Sequence, residues 1–129
     1  MDFFPTRPAR SATTKQLGDA GEEAALRYLL GQGLKLVTRN YRTPGRGGGE
    51  IDLIMRMRDG TLVFVEVRKR ASSRHGGGAA SVGTVKQRRI VLAARHYLLR
   101  VAHLPPCRFD VVVLDGERIE WLQAAFDAT

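Results

Sequence analysis

The pattern of apolar and polar positions predicts two main helices. The Thr-x-x-Gln pattern of a capping box occurs at residues 13–16 and again at residues 84–87, and apolar residues recur at helical spacing after each. The first helix is expected to end at Gly31, since glycine commonly follows a helix. The second is expected to run to about residue 103, where two prolines stop it.

Short alternating segments predict five strands. These lie at residues 34–41, 50–57, 61–69, 109–114 and 118–122. An Asp-Gly pair at 59–60 joins the second and third strands as a tight hairpin. In the second strand, alternation places Ile51, Leu53 and Met55 on one face and Asp52, Ile54 and Arg56 on the other.

The order helix, three strands, helix, two strands predicts an α/β fold. We expect one mixed sheet of about five strands flanked by the two main helices. The 129 residues and their 43% hydrophobic content suit a single domain. That domain is expected over residues 13–129, after a flexible N-terminal arm over residues 1–12.

The composition indicates the cellular compartment of the protein. Cys107 is the only cysteine, so no internal disulfide can form, and we expect it to be a small buried residue entering a strand. No apolar run approaches the ~20 residues that span a bilayer. The N-terminus lacks the apolar stretch of a secretory signal. We therefore expect a cytoplasmic protein without a membrane partner.

The charge distribution favours a polyanionic partner. The net charge is +8, and no aspartate or glutamate occurs from Val67 to Phe109, although ten lysines and arginines do. A solvated helix face with a loop is the simpler explanation, but the one-sided distribution favours a phosphate-binding surface. The candidate nucleic-acid contacts are Arg46, Lys69, Arg70, Arg74, Lys86, Gln87 and Arg89.

Two carboxylates carry the candidate chemistry. Asp52 and Glu66 each interrupt an apolar strand of the predicted hairpin, at similar distances from its turn. Their oxygens can converge and would then suit Mg²⁺ or Mn²⁺. The alternative is a half-exposed sheet face with scattered charges. Arg68 leaves the same face as Glu66 and either stabilises phosphate charge or forms a salt bridge with Glu66.

Two helical residues are further candidates. Glu22 lies beside the apolar stripe of the first helix, so it either reaches the metal site or is an exposed helix charge. Lys86 lies in the first turn of the second helix, where the helix dipole favours anions. Phosphate contact and plain solvent exposure are both compatible with that position.

Six ordered motifs carry a family resemblance. They are Gly18-Asp19-Ala20-Gly21-Glu22, Arg39-Asn40-Tyr41, Gly49-Glu50-Ile51-Asp52-Leu53-Ile54, Val63-Phe64-Val65-Glu66-Val67-Arg68, Lys86-Gln87 and Cys107-Arg108-Phe109-Asp110-Val111-Val112. With the closing segment 121–126, the pattern resembles the YraN-type family of uncharacterised bacterial proteins. That family is similar to the restriction-endonuclease-like, PD-(D/E)XK superfamily, and in particular to archaeal Holliday-junction resolvases.

The resemblance implies a restriction-endonuclease-like core and a set of site residues. Glu22 matches the glutamate of the first helix, and Asp52 and Glu66 match the metal-binding acids. The Val67 carbonyl would complete the ligands. Arg68 stands where the pattern has a lysine; an arginine stays charged and cannot act as a base, but it can stabilise phosphate charge. Lys86 or Gln87 would then compensate for the missing lysine.

The leading hypothesis is therefore phosphodiester hydrolysis that depends on Mg²⁺ or Mn²⁺. The expected substrate is DNA rather than RNA, with branched or damaged structures preferred. One alternative is a nucleic-acid-binding module without catalytic activity, and another is an RNA- or ribosome-associated accessory protein. A homodimer is expected by analogy with the resolvases.

Overall fold

The computed structural model describes residues 14–45, 47–70 and 82–128. The helices and strands are α1 (Thr14–Gly31), β1 (Lys35–Arg42), β2 (Glu50–Arg56), β3 (Leu62–Lys69), α2 (Thr84–Leu98), β4 (Cys107–Asp115) and β5 (Arg118–Phe126). The predicted α/β class, the element order and the mixed sheet with two helices are confirmed. The predicted arm at 1–12 and the candidate contacts Arg46 and Arg74 lie outside the described residues.

The five strands form one sheet in chain order, β1-β2-β3-β4-β5. All neighbouring strands are antiparallel except β3 and β4, which are parallel and are joined through α2. The predicted Asp59-Gly60 turn closes the β2–β3 hairpin. Gly60 has a φ of 93°, a conformation that glycine adopts without strain. The Asp59 side chain accepts a hydrogen bond from the Thr61 amide.

Each face of the sheet is covered by one helix. On one face, α1 packs through residues such as Leu26 and Leu29 against a buried cluster that includes Val65. On the other face, α2 packs through residues such as Ile90 and Tyr97 against a second cluster that surrounds Phe64. Within the described residues, neither helix is long and apolar enough to cross a lipid bilayer.

The predicted alternation along β2 is wrong at its N-terminal end. Leu53 packs on the α1 face, as alternation requires, but Ile51 packs with Ile54 on the α2 face. Asn40 of β1 lies opposite this break and has a φ of 53°. A left-handed residue twists the strand pair locally, and asparagine is among the residues that tolerate this conformation. The break falls at Asp52. Strict alternation therefore does not predict on which side of the sheet the Asp52 side chain lies.

Three boundaries and one burial expectation also differ from the sequence predictions. The helix α2 ends at Leu98 rather than near residue 103, because its last amides bond carbonyls three residues back instead of four. The strand β5 extends to Phe126, four residues beyond the prediction, since it stays paired with β4 past a bulge. Cys107 does begin β4, two residues early, but its side chain is exposed rather than buried.

Candidate metal centre

A small cavity of about 190 Å³ lies beside the C-terminal half of β3. It is lined by residues from both helices and three strands, namely Gly18, Gly21, Glu22, Asp52, Glu66, Val67, Lys69, Lys86 and Leu114. Gly21 allows α1 to approach β4, because a Cβ there would lie 3.1 Å from the Leu114 side chain. This approach brings the adjacent Glu22 to the cavity.

Asp52 lies at the centre of the carboxylates in this cavity. Regular pairing between β2 and β3 ends at Leu53 and Val65, and beyond it the Val67 amide donates to Asp52 Oδ2 at 2.8 Å. Asp52 therefore takes over a backbone donor where the strand ladder stops. The Asp52 carboxyl also lies close enough to Glu22 and Glu66 to raise the pKa of both. The structure thus places Asp52 and Glu66 in the lining of the same cavity.

The crowding of these carboxyl groups changes their protonation. Glu66 is 7% exposed. Its burial, and then the charge of Asp52, raise the pKa of Glu66 from 4.5 to about 8. Burial, followed by the charges of Asp52 and Asp19, raises the pKa of Glu22 from 4.5 to about 7. Near neutral pH the cluster therefore retains protons, or it needs a cation to balance the charges.

Lys86 is the cation that most strongly opposes the raised pKa of Glu66. Its Nζ lies 3.6 Å from Glu66 Oε2, and Arg68 has a smaller effect. The ion pair of Glu66 thus comes from the first turn of α2 and not from Arg68, for which the sequence had predicted a possible salt bridge. Lys69 adds a second lysine to the lining of the cavity.

The carboxylates have the donor chemistry of a divalent-cation site. Glu22 Oε1 is buried and has no hydrogen-bond partner among the described residues, and a buried oxygen in that state is costly unless something contacts it. Within the described residues, no three His, Cys, Asp or Glu side chains converge as a complete set of metal ligands. Two carboxylates completed by water and substrate oxygens are nevertheless a common environment for Mg²⁺.

The other predicted nucleic-acid contacts are placed differently. The side-chain amide of Gln87 donates to the Val82 carbonyl at 2.7 Å, so it holds the first turn of α2 to the loop that precedes the helix. Arg70 pairs with Asp115 at 3.6 Å, and its Nε is buried with no hydrogen-bond partner in the part of the chain that the structure describes. Arg89 is exposed on α2. The structure thus brings Glu22, Asp52, Glu66, Val67, Lys69 and Lys86 together, but not Arg70 or Gln87.

Asp19 is a contributor that sequence reasoning missed. It lies three residues before Glu22 on α1, and its charge helps to raise the pKa of Glu22. The i,i+3 spacing of two acids on one helix was the available signal.

Comparison with known proteins places these residues in a family. The model described as "Uncharacterised protein family UPF0102" matches residues 21–114, which include every described carboxylate and lysine of the cavity lining. The chain belongs to UPF0102. The predicted YraN-type membership is thereby confirmed.

Individual UPF0102 relatives match over nearly the whole chain. A UPF0102 protein of Albidiferax ferrireducens is 64% identical over 125 residues, which cover 97% of this chain and 98% of the relative. A UPF0102 protein of Methylibium petroleiphilum is 67% identical over 120 residues, which cover 91% of this chain and 98% of the relative. A UPF0102 protein of Cupriavidus taiwanensis is 58% identical over 124 residues, which cover 96% of this chain and 87% of the relative.

Proposed function

We propose that this UPF0102 protein is a cytoplasmic phosphodiesterase that depends on a divalent cation and hydrolyses DNA, with branched or damaged structures preferred. The observation that carries the proposal is the grouping of three carboxyl groups, those of Glu22, Asp52 and Glu66, in one cavity that two lysines also line. The charge of Asp52 raises the pKa of both glutamates. A restriction-endonuclease-like reading of the fold agrees with this placement, although fold alone is weak support for a reaction.

Asp52 and Glu66 would hold the cation, and the Val67 carbonyl would be a further ligand. Mg²⁺ or Mn²⁺ bound there would supply positive charge to a phosphate and acidify water. The backbone bond from Val67 to Asp52 fixes the direction of the central carboxylate before any ligand binds. Such fixed positioning reduces the rearrangement needed during reaction.

The remaining charged groups would handle the proton and the phosphate. Glu22 has a pKa of about 7 and an Oε1 without a partner, so it is suited to accept a proton from water near neutral pH. Lys86 orients Glu66 and offers its other N–H groups to a phosphate oxygen. Arg68 cannot act as a base, so its contribution would be restricted to stabilising phosphate charge.

Two observations favour a second candidate, a nucleic-acid-binding module without hydrolytic activity. Arg68 replaces the lysine expected in the resembled motif. In addition, no complete three-ligand group is present among the residues that the structure describes. A protein that retained the basic surface but lost the reaction would share these features.

A cleavage assay separates the two candidates. Purified protein is incubated with labelled junction, flap, linear duplex and RNA substrates in Mg²⁺, Mn²⁺ or EDTA. Asp52→Asn should lower the cleavage rate by about 10²–10³-fold, as is typical when a fixed electrostatic group is lost. The matched control is Glu50→Gln on the same strand, because Glu50 pairs with Arg42 and does not line the cavity.

The control should cleave within about threefold of the wild type. Failure to cut any substrate, or an Asp52→Asn variant as active as the wild type, would reject hydrolysis. DNA binding that persists in EDTA without cleavage would favour the binding module.

A further inference from the structure

Arg100 forms an unusual contact away from the carboxylate cavity. Its guanidinium lies over the rings of Tyr41 and Tyr97, at 5.3 Å and 5.2 Å from their centroids. Its Nη2 also donates to the Tyr41 hydroxyl at 3.4 Å, and that hydroxyl hydrogen-bonds His96 Nδ1. The guanidinium is therefore positioned by two aromatic rings and a hydroxyl.

No carboxylate neutralises this guanidinium in the part of the chain that the structure describes. Some other arginines do have an acidic partner: Arg39 pairs with Glu23, Arg42 with Glu50, and Arg108 with a buried aspartate. Arg100 is also exposed. An oriented, exposed cation that lacks an acidic partner is suited to bind an anion from solution.

Arg100 continues one flank of α2 that begins at the cavity. Lys86, Arg89 and His96 recur on this flank at spacings of three and seven residues. Contacts fix which way the flank faces, since Lys86 meets β3, the Arg89 carbonyl lies against Gly49, and His96 meets β1. We call Lys86, Arg89, His96 and Arg100 the α2 track.

The length of the α2 track suits a nucleic-acid backbone. At 1.5 Å per residue, Lys86 and Arg100 are separated by about 20 Å along the helix axis. A strand of B-form duplex carries one phosphate about every 3.4 Å along its axis, so about six phosphates span this distance. A duplex segment of about six base pairs that lies along α2 therefore extends from the cavity to Arg100.

We infer that the α2 track binds the sugar-phosphate backbone of the substrate, with Arg100 as a phosphate contact about 20 Å from the carboxylates. This inference rests on the proposed function, because it assumes that nucleic acid enters the cavity. It adds a direction: the bound strand runs along α2 toward Tyr41, and not toward the opposite flank that carries Arg88 and Arg95.

Binding can be measured without cleavage, by fluorescence anisotropy of a labelled 20-base-pair DNA duplex in EDTA and in Ca²⁺. Arg100→Gln should weaken binding about 5- to 10-fold and reduce the slope of log affinity against log salt by about one. The matched control is Arg88→Gln, which removes the same charge from the same helix on the other flank. It should stay within about twofold of the wild type.

Arg100→Lys separates charge from ring packing, because it keeps the charge and loses the planar contact. Binding by this variant within about threefold of the wild type supports a phosphate contact. Equal losses in both Arg100 variants, together with lowered melting temperatures, would assign Arg100 a purely structural role and overturn the inference. A matching RNA duplex shows whether the track distinguishes the two backbones.

The failures of the two proposals are distinguishable. If the wild type cleaves DNA and Arg100→Gln binds and cleaves normally, the α2 track is wrong and the hydrolytic function stands. If no substrate is cleaved but Arg100→Gln selectively weakens binding, hydrolysis is wrong and the track stands. If the wild type binds neither DNA nor RNA in either buffer, the track is overturned.

Discussion

Replacing Glu66 by glutamine should stabilise the protein at alkaline pH. The substitution keeps the shape of a side chain that is 7% exposed but removes the charge that the site disfavours. Burial and Asp52 raise the pKa of Glu66 in the folded protein to about 8, against an ordinary value of 4.5. The folded state therefore holds this proton more tightly than the unfolded chain does.

The sign and size of the effect follow from this difference. The stability contributed by the Glu66 proton is fully present below pH 4.5 and is lost as pH rises through about 8. At about 1.4 kcal/mol for each unit of pKa, the interval corresponds to ~5 kcal/mol if nothing relaxes. The charge of Lys86 is already included in this pKa, but the carboxyl groups can move, so we expect Glu66→Gln to gain about 2–4 kcal/mol relative to the wild type.

Urea unfolding in EDTA, repeated in buffers between pH 5 and pH 9, measures this gain. Only the difference between variant and wild type is compared, so that the titration of groups that do not interact with Glu66 cancels. Glu120→Gln on β5 is the control, since Glu120 is exposed and lies outside the cavity. A difference for Glu66→Gln that stays constant across this pH range would refute the reasoning.

Three further outcomes are expected. Millimolar Mn²⁺ should raise the melting temperature by a few degrees at pH 8 and by less at pH 5.5, where protons occupy the carboxyl groups, and Asp52→Asn should remove this shift. Gly49→Ala should lower the free energy of unfolding by more than about 2 kcal/mol in urea, because its Cβ would lie 1.8 Å from the Arg89 carbonyl oxygen. Gly18→Ala, which meets nothing within 4 Å, should instead stabilise α1 by about 0.5–1 kcal/mol. Asp110→Asn should destabilise by about 3 kcal/mol, as it breaks a fully buried carboxylate that pairs with an arginine; equal unfolding midpoints would contradict this.

Most of the architecture could be predicted from the sequence because its signals are local. Alternating apolar residues give the strands, and Asp59-Gly60 gives the hairpin. The Thr-x-x-Gln pattern at residues 84–87 marks the start of α2, but the predicted capping box is wrong there, because the N-cap is Gly83 and makes no side-chain cap hydrogen bond. The hairpin in turn brings Asp52 and Glu66 onto neighbouring strands, although alternation alone does not fix the direction of the Asp52 side chain. The sequence of the β2–β3 hairpin thus accounts for the centre of the candidate site.

The features that sequence reasoning missed depend on contacts between distant segments. The ion pair of Glu66 with Lys86 requires α2 to dock across β3, and no spacing within the chain encodes that contact. The length of β5 depends on Asp110, which is completely buried and accepts hydrogen bonds from the Trp121 indole and the Ala124 amide. A strand pattern shows neither the bulge nor the buried acid that holds it.

Backbone twist is the other source of error. Asn40 has a positive φ, and at this point of the paired strands Tyr41 and Ile51 pack on the α2 face. Strict alternation instead assigns Ile51 to the same side as Leu53, which packs on the α1 face. A period of two cannot report a local change of hand in the backbone. The exposure of Cys107 was also missed, because burial of a strand's first residue depends on what covers the sheet edge.

The tight β2–β3 hairpin has a consequence for the order of assembly. It joins Asp52 and Glu66 through a contact that is close along the chain, whereas β3 meets β4 only after α2 has crossed over. The two acids therefore become neighbours while water still surrounds them, and they lose that water only when the helices dock. Electrostatic strain at this centre thus opposes the last packing step and leaves the initial pairing of the strands unaffected.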